Sequence, residues 1–176
     1  MLPADAIAVF LQGPSQPVER AQYCSEAQMV SRIAVAAGNR PILVKPHPRT
    51  ADPETLAHVE KLAKAHPNVQ IVDAHIHDML ASAALTCSIS SSVSLEGMMH
   101  RKPALLFGMT DFHHIARTIH QTDDVAAALD WALEVGSNLP YAAFLHWFLQ
   151  KNCINMGRDD WFDRILARVG LDVNQG

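Results

Sequence analysis

Three serines and a glutamate in one short segment carry the chemistry that is easiest to interpret in this sequence. The apolar run 83–89 ends at Ser90-Ser91-Ser92, and a helical pattern follows. Serines at a strand-to-helix turn place backbone N–H groups and hydroxyls at the positive end of a helix dipole, which favours an anion such as phosphate. Glu96 lies four residues after Ser92, on the same helix face. Its carboxylate could accept hydrogen bonds from ribose hydroxyls while the helix start holds the phosphate.

Helix capping and surface solvation are the competing interpretations of this segment. A capping box needs a capping side chain three residues before the glutamate, and that position is Val93, which cannot cap. Capping therefore accounts for one serine but not for Glu96. Glu96 could still be an ordinary solvated residue, and the segment alone does not decide between the two interpretations.

A rigid basic segment, Lys45-Pro46-His47-Pro48, is the second candidate for chemistry. Two prolines restrict the backbone on both sides of the imidazole, which suits a side chain that must face a ligand. His47 could donate to a phosphate oxygen or protonate a leaving group near neutral pH, so it is the candidate catalytic residue. Lys45 and Arg49 would add positive potential. The alternative interpretation is a proline-rich turn with a surface histidine.

Two further polar segments follow apolar runs. Gln12 opens the turn 12–16, where Gly13 permits close approach of the backbone. Asp73 opens the segment 73–79, which could line a pocket for a base or sugar. We therefore add Gln12 and Asp73 to the ligand-binding candidates, which also include Lys45, His47, Ser90, Ser91, Ser92 and Glu96.

The histidines suggest a different chemistry. Asp73-Ala74-His75-Ile76-His77 is similar to the Asp-x-His-x-His metal motif of amidohydrolases. That motif belongs to a (β/α)₈ barrel, and 176 residues are too few for one. A metal-dependent hydrolase that uses His75, His77 and Asp78 is therefore an alternative, and the main prediction includes no metal.

The composition limits the class of protein. The chain has 176 residues, of which 49% are hydrophobic and 18% charged, as expected for one soluble globular domain. The net charge of −4 gives no support for a nucleic-acid partner. Three widely spaced cysteines form neither a disulfide framework nor a zinc pattern, which predicts a reducing, cytoplasmic compartment. No segment has the pattern of a signal peptide or a membrane span.

The elements that must position these residues alternate between strands and helices. Strands are predicted at 6–11, 41–45, 69–72, 85–89, 104–107 and 118–120. Helices are predicted at 22–37, 78–83, 93–100 and 123–135. A further helix is predicted to begin after Asp52, which would be its N-cap, and two more lie near the C-terminus, at 141–150 and 160–169. This alternation predicts an α/β, Rossmann-like, doubly wound parallel sheet. Ligands bind such sheets beyond the carboxyl ends of the strands, and the candidate residues follow those ends.

The aromatic helix predicted at 141–150 is apolar around much of its circumference. Such a helix is either buried or faces a partner. A non-catalytic binding or assembly module is therefore a further alternative.

The motifs also carry a resemblance to a known family. The turn 12–16, Val44-Lys45-Pro46-His47-Pro48, and the segment 90–97 followed by Lys102-Pro103 and Phe107-Gly108 resemble the capsule polysaccharide biosynthesis family. That family includes bacterial transferases that add Kdo from CMP-Kdo. The resemblance covers roughly residues 6–169. The serine–glutamate segment is similar to those of UDP-GlcNAc 2-epimerases and other GT-B glycosyltransferases, so a 2-epimerase-like enzyme is an alternative.

The resemblance implies the C-terminal, nucleotide-sugar-binding half of a GT-B glycosyltransferase. His47, Ser91 and Ser92 would hold the donor phosphate, and Glu96 would bind ribose. The substrates would be a CMP- or UDP-sugar and a saccharide or lipid-linked acceptor, with no cofactor. The family often has an acidic residue in the first loop, where this chain has Pro14-Ser15.

The resemblance also bears on domains and location. A GT-B enzyme has two Rossmann-like halves, and 176 residues accommodate one, so the other half is expected in the same or another chain. Residues 1–176 are predicted to form the single nucleotide-sugar-binding domain, with added helices in 140–170. The expected location is the bacterial cytoplasm, with peripheral association at the inner face of the membrane left open.

Overall fold

The six strands found in the described residues run parallel in one sheet. The computed structural model describes residues 2–14 and 21–171, so Ser15 and Gln16 of the predicted first turn lie outside the described residues. The strands are β1 (Ala6–Phe10), β2 (Ile42–Lys45), β3 (Val69–Ile71), β4 (Ala83–Ser88), β5 (Ala104–Leu106) and β6 (Arg117–Thr118). Their order across the sheet is β3-β2-β1-β4-β5-β6. This order confirms the predicted Rossmann-like parallel sheet.

The helices occupy the predicted places, with changed ends. They are α1 (Glu26–Ala36), α2 (Pro53–Ala65), α3 (Ile76–Ser82), α4 (Val93–Met99), α5 (Val125–Val135), α6 (Tyr141–Leu145) and α7 (Trp161–Arg168). Short 3₁₀ turns lie at His113–Ile115 and Gly136–Asn138.

Both faces of the sheet are covered, as a doubly wound fold requires. The side chains of β1 alternate between two apolar clusters, since successive residues of a strand face opposite sides. Ile7 and Val9 belong to the larger cluster, which includes Met29 and Ile33 of α1. On the other face Phe10 packs in a cluster that also contains residues of α3. The middle strands are thus buried on both faces, which explains their nearly continuous apolar sequence.

The N-terminal end of α1 differs from the prediction, which began the helix at residue 22. The helix begins at Glu26 because Ser25 forms a capping box with Gln28. The Ser25 hydroxyl accepts the Gln28 N–H at 3.2 Å, and the Gln28 side chain accepts the Ser25 N–H at 2.9 Å. The predicted cap of α2 is confirmed, because the Asp52 carboxylate accepts the Thr55 N–H at 2.9 Å. Apolar spacing therefore located the buried face of α1 but not its first residue.

The chain divides into two compact units, Met1–Leu139 and Pro140–Gly176. In the second unit the helix predicted over 141–150 is present, as α6 followed directly by a π-helical segment, His146–Asn152. Phe144 and Phe148 stack with ring centroids 5.8 Å apart, and Trp147 is 42% exposed. The interpretation of this aromatic segment as a docking face stays a prediction.

The cysteines and the lengths of the helices can be compared with what the composition predicted. Cys24, Cys87 and Cys153 are not joined in disulfides. Across the described ranges, every helix is too short or too polar to cross a membrane.

Candidate functional site

The candidate residues lie on loops at the carboxyl edge of the sheet. Chain order reverses between β1 and β4, because β2 and β3 lie on one side of β1 and the later strands lie on the other. In open α/β sheets such a switch point leaves a crevice beyond the strand ends. Gln12 follows β1, His47 follows β2, Asp73 follows β3 and Ser90 follows β4. The fold therefore brings these loops to the same edge.

Gln12 joins three of these loops through hydrogen bonds. Its side-chain Oε1 accepts the Ser90 N–H at 2.7 Å, and its Nε2 donates to the Ser90 hydroxyl at 3.3 Å. Its backbone carbonyl accepts the Thr50 hydroxyl at 2.6 Å. The loops after β1, β2 and β4 are thus linked through one residue, which we call the Gln12 hub.

The His47 ring is held through one of its nitrogens. Nδ1 lies 3.3 Å from the Arg49 N–H nitrogen and 3.2 Å from that of Thr50. Because backbone N–H groups only donate, this geometry assigns the lone pair to Nδ1 and the proton of the neutral ring to Nε2. Nε2 makes no hydrogen bond to another described residue. It is therefore a donor that remains for a ligand.

The Thr50 hydroxyl lies between the His47 ring and the backbone of Gln12. It lies 2.8 Å from His47 Nδ1 and 2.6 Å from the carbonyl oxygen of Gln12, but its single hydrogen can go to only one of them. The hydroxyl thus adds a third contact on the protein side of the ring and connects the loop after β2 to the loop after β1.

Lys45 and Asp73 form an ion pair at the same edge. Lys45 Nζ lies 3.4 Å from Asp73 Oδ1. The Lys45 side chain is 13% exposed, whereas that of Asp73 is fully exposed. The negative charge of Asp73 therefore offsets the positive charge of Lys45 at this edge of the sheet. The predicted ligand role of both residues stays a prediction.

The hydroxyl groups of Ser90, Ser91 and Ser92 differ in their hydrogen-bond partners. Ser90 is held by the Gln12 hub, and the Ser91 hydroxyl accepts the Val93 N–H at 3.3 Å. Ser92 is the N-cap residue of α4, but its side chain makes no capping hydrogen bond. One serine, Ser91, thus bonds a backbone N–H at the helix start, as the capping interpretation allowed, whereas the Ser92 hydroxyl is exposed.

Glu96 lies in the first turn of α4, the helix that starts at this edge. Its side chain is partly buried, and its carboxylate makes no hydrogen bond or ion pair to another described residue. Gly97 allows α4 to lie close to β4, because a Cβ there would come within 2.8 Å of Thr86 Cγ2. The close packing of α4 fixes the backbone that carries Glu96, whose predicted contact with ribose stays a prediction.

Sequence analysis did not identify Glu26 as a site residue. Glu26 begins α1 and is 8% exposed. Oε1 accepts the Gln12 N–H in a short hydrogen bond, and Oε2 accepts the Gly13 N–H at 3.3 Å. Burial raises the pKa of this carboxyl group, although the two backbone hydrogen bonds oppose the rise. The capping box from Ser25 to Gln28 was the available signal, because it places Glu26 at a helix start.

Gly13 has to be a glycine in this loop. Its φ is +74°, and a Cβ would lie 1.6 Å from the Thr50 carbonyl oxygen. The predicted close approach of the backbone at Gly13 is thus confirmed, and the surface that it approaches is the loop after β2.

The histidines of the metal alternative form a row on the surface. His75 Nδ1 accepts the His77 N–H at 3.3 Å, which caps α3. His77 Nδ1 lies 3.3 Å from His100 Nε2, a contact that sequence analysis did not anticipate. Asp78 lies in the first turn of α3. Within residues 2–14 and 21–171, no group of three or more His, Cys, Asp and Glu side chains is arranged to hold a metal ion.

No family model and no curated protein matches the chain. Solved structures do match it. A Kdo transferase, KpsC of Thermosulfurimonas dismutans, matches with a TM-score of 0.53 and 18% identity over 68% of this chain and 39% of the transferase. The avilamycin A glycosyltransferase AviGT4 matches with a TM-score of 0.50 and 16% identity over 81% of this chain and 47% of that enzyme.

An isomerase has the same fold. The UDP-GlcNAc 2-epimerase of Methanocaldococcus jannaschii, solved with UDP-GlcNAc and UDP, matches with a TM-score of 0.57 and 14% identity. That match covers 96% of this chain and 46% of the epimerase. The chain thus spans less than half the length of each of these three proteins. The resemblance to GT-B glycosyltransferases is confirmed for the fold, which is Rossmann-like and shared with the epimerase.

Proposed function

We propose that this chain is the donor-binding half of a capsule-polysaccharide-type glycosyltransferase and binds a nucleotide-sugar at the carboxyl edge of its sheet. The observation that carries the proposal is the Gln12 hub, which links the loops after β1, β2 and β4 at the switch point. The fold shared with two glycosyltransferases supports the same assignment.

Each candidate residue has a role in this proposal. The serine turn Ser90-Ser91-Ser92 holds the donor phosphate with the free hydroxyl of Ser92 and the backbone of the turn. Glu96, whose carboxylate has no described partner, accepts hydrogen bonds from ribose. Lys45 supplies positive potential near the phosphate, and Asp73 balances it. Gln12 keeps the three loops together.

His47 is the proposed catalytic residue. In glycosyl transfer the bond between the anomeric carbon and the donor phosphate oxygen breaks while an acceptor hydroxyl bonds to that carbon. Negative charge then grows on the leaving nucleotide phosphate. The Nε2–H of His47 donates to this phosphate, while the backbone N–H groups of Arg49 and Thr50 hold Nδ1 on the opposite side of the ring.

The proposal requires parts that this chain does not supply. Because the chain spans less than half of the transferases that it matches, a second Rossmann-like half in the same or another chain would bind the acceptor. The acceptor would be a saccharide or a lipid-linked saccharide.

Calorimetry with CMP, UDP, ADP and UDP-GlcNAc tests the proposal. We expect at least one of them to bind, and His47→Ala and Glu96→Ala each to weaken that binding by roughly tenfold, since each removes a hydrogen bond to a charged or polar ligand group. His66→Ala and Glu60→Ala are matched controls. His66 precedes β3 at the opposite edge of the sheet, and Glu60 is exposed on α2. Absence of binding at millimolar concentration of every nucleotide would disprove the proposal.

The fold shared with the UDP-GlcNAc 2-epimerase supports a second candidate, a nucleotide-sugar 2-epimerase. Incubation with UDP-GlcNAc in the absence of an acceptor distinguishes the two, with proton NMR to detect inversion at C2. Formation of the 2-epimer would replace the transferase proposal, because a transferase needs an acceptor to release its sugar.

A further inference from the structure

We infer that Glu26 is a positioning residue of the donor site, because its carboxylate fixes the backbone of Gln12 and Gly13 and thereby the loops that carry Ser90 and His47. This inference rests on the proposed function. It concerns a residue that contacts neither the phosphate nor the sugar and that acts through the Gln12 hub.

The contacts form a continuous path from Glu26 to both sides of the site. Glu26 accepts the N–H groups of Gln12 and Gly13. From Gln12, the side chain reaches Ser90 on the loop after β4. The carbonyl of the same residue accepts the Thr50 hydroxyl, which lies 2.8 Å from the His47 ring. Displacement of the Gln12 backbone would therefore move partners of the serine turn and of the imidazole together.

Glu26 is unusual in being buried without a cation. None of the described lysine or arginine side chains forms an ion pair with it. A buried carboxylate is costly unless hydrogen bonds compensate, and here the compensation comes from two backbone amides of one loop. This pairing gives the carboxylate a specific task, which is to hold that loop.

The protonation of Glu26 gives the inference a measurable signature. Burial raises the pKa of Glu26 from the ordinary value, nearby Asp52 raises it further, and His47 and the two backbone hydrogen bonds lower it. The ionised group accepts two N–H groups. The protonated group carries an O–H that competes with them, so the loop is released as the pH falls through the raised pKa. This release comes at a higher pH than an ordinary glutamate would give.

Glu26→Gln tests this inference because it keeps the size of the side chain and replaces one acceptor by a donor. The probe is whichever of CMP, UDP, ADP or UDP-GlcNAc binds the wild-type protein. Near pH 8 we expect Glu26→Gln to raise its Kd about tenfold. The ratio of the two Kd values should fall towards one as the pH is lowered through the raised pKa of Glu26, because the wild-type carboxylate is then protonated as well. Taking the ratio cancels the titration of the ligand.

The matched control is Glu54→Gln, which makes the same chemical change in the first turn of α2, where Glu54 is exposed. We expect it to leave the Kd unchanged. Amide hydrogen exchange of Gln12, Gly13 and Ser90 gives a second readout that needs no ligand, and Glu26→Gln should speed it relative to the amides of α5. If Glu26→Gln does not fold, the same exchange is measured in the wild-type protein as the pH is lowered.

The outcomes separate this inference from the proposed function. If the wild-type protein binds a nucleotide but Glu26→Gln leaves both the Kd ratio and the exchange unchanged, Glu26 does not position the site and the proposed function stands. If the wild-type protein binds no nucleotide, the proposed function fails, and the exchange at Gln12, Gly13 and Ser90 decides whether Glu26 holds these loops.

Discussion

Among the described residues, His47 is hydrogen-bonded through only one of its two ring nitrogens. Nδ1 faces Thr50 and two backbone N–H groups, whereas Nε2 makes no bond to a described residue. Pro46 and Pro48 contribute no N–H of their own, so the donors come from the residues that follow. The two-proline pattern predicted a fixed imidazole, but the identity of its second partner, Thr50, followed only from the folded loop.

Thr50→Val removes a hydroxyl and keeps the shape of the side chain. We expect it to leave the backbone bonds to His47 but to remove the contact with Nδ1 and the donor to Gln12. Nucleotide affinity should fall by roughly three- to tenfold, since one such bond contributes about 0.5–1.5 kcal/mol. Calorimetry measures the affinity of each variant. The control is Thr122→Val, because Thr122 is an exposed threonine between β6 and α5. Equal affinities for both variants would show that the hydroxyl does not support His47.

At the scale of elements, the loops and helix starts determine where the candidate residues lie. α1 begins at a capping box and places Glu26 under the loop after β1, while α4 begins at the serine turn. Gly13 allows the first loop to touch the second, because only a residue without a side chain fits beside the Thr50 carbonyl. The candidate site is thus assembled from the beginnings of helices and the ends of strands.

Asp52 gives a prediction at this scale, since it caps α2 directly after the loop of His47. Hydrogen bonds from Thr55 lower the pKa of Asp52 below its ordinary value of 3.8. A lowered pKa means that the cap stabilises the fold above about pH 3.8 and that this contribution is lost as the pH falls through the lowered value.

Asp52→Ala should therefore lower the Tm near neutral pH, and the Tm difference from wild type should shrink in acid. Thermal unfolding followed by circular dichroism between about pH 7 and pH 3 measures both. Asp111→Ala, at an exposed carboxylate outside any helix, serves as the control. A Tm difference that is constant down to the lowest pH would contradict the role of the ionised cap.

At the scale of the whole molecule, the candidate site lies at the ends of deeply buried strands. β1 and β4 are adjacent, and both are covered on their two faces. Two loops of the Gln12 hub, those after β1 and β4, therefore extend from buried strands.

Leu85→Ala, in β4, should lower the free energy of unfolding by about 2–5 kcal/mol, since Leu85 is fully buried and its truncation leaves a cavity. Ile71→Ala, in the edge strand β3, should cost less than about 1 kcal/mol, because Ile71 is 39% exposed. Urea unfolding of both variants measures the difference. Similar losses would contradict the view that stability is concentrated at the centre of the sheet.

Much of this fold was predictable from local patterns. The apolar runs identified all six strands, and Asp52 with Pro53 identified the start of α2. The start of α1 was predicted four residues early, because spacing of apolar residues reports the buried face and not the cap. The sequence predicted a helix over 141–150 but not its change to π-helical winding after Leu145.

The candidate site was predictable only in part, for a physical reason. Residues that follow strand ends, such as His47 and Ser90, could be grouped because parallel strands bring their ends together. Glu26 and Thr50 act through contacts with the backbone of Gln12, which lies 14 and 38 positions away along the chain. No local pattern encodes such contacts.

The sheet ends on β3 and β6, which have three and two residues. A border this short offers few unpaired amide and carbonyl groups to the extended segment of another molecule. Growth of the sheet by lateral addition of foreign strands is therefore discouraged on either flank. Short edge strands thus limit fibre formation through the sheet, a task for which longer edge strands need charged residues or prolines.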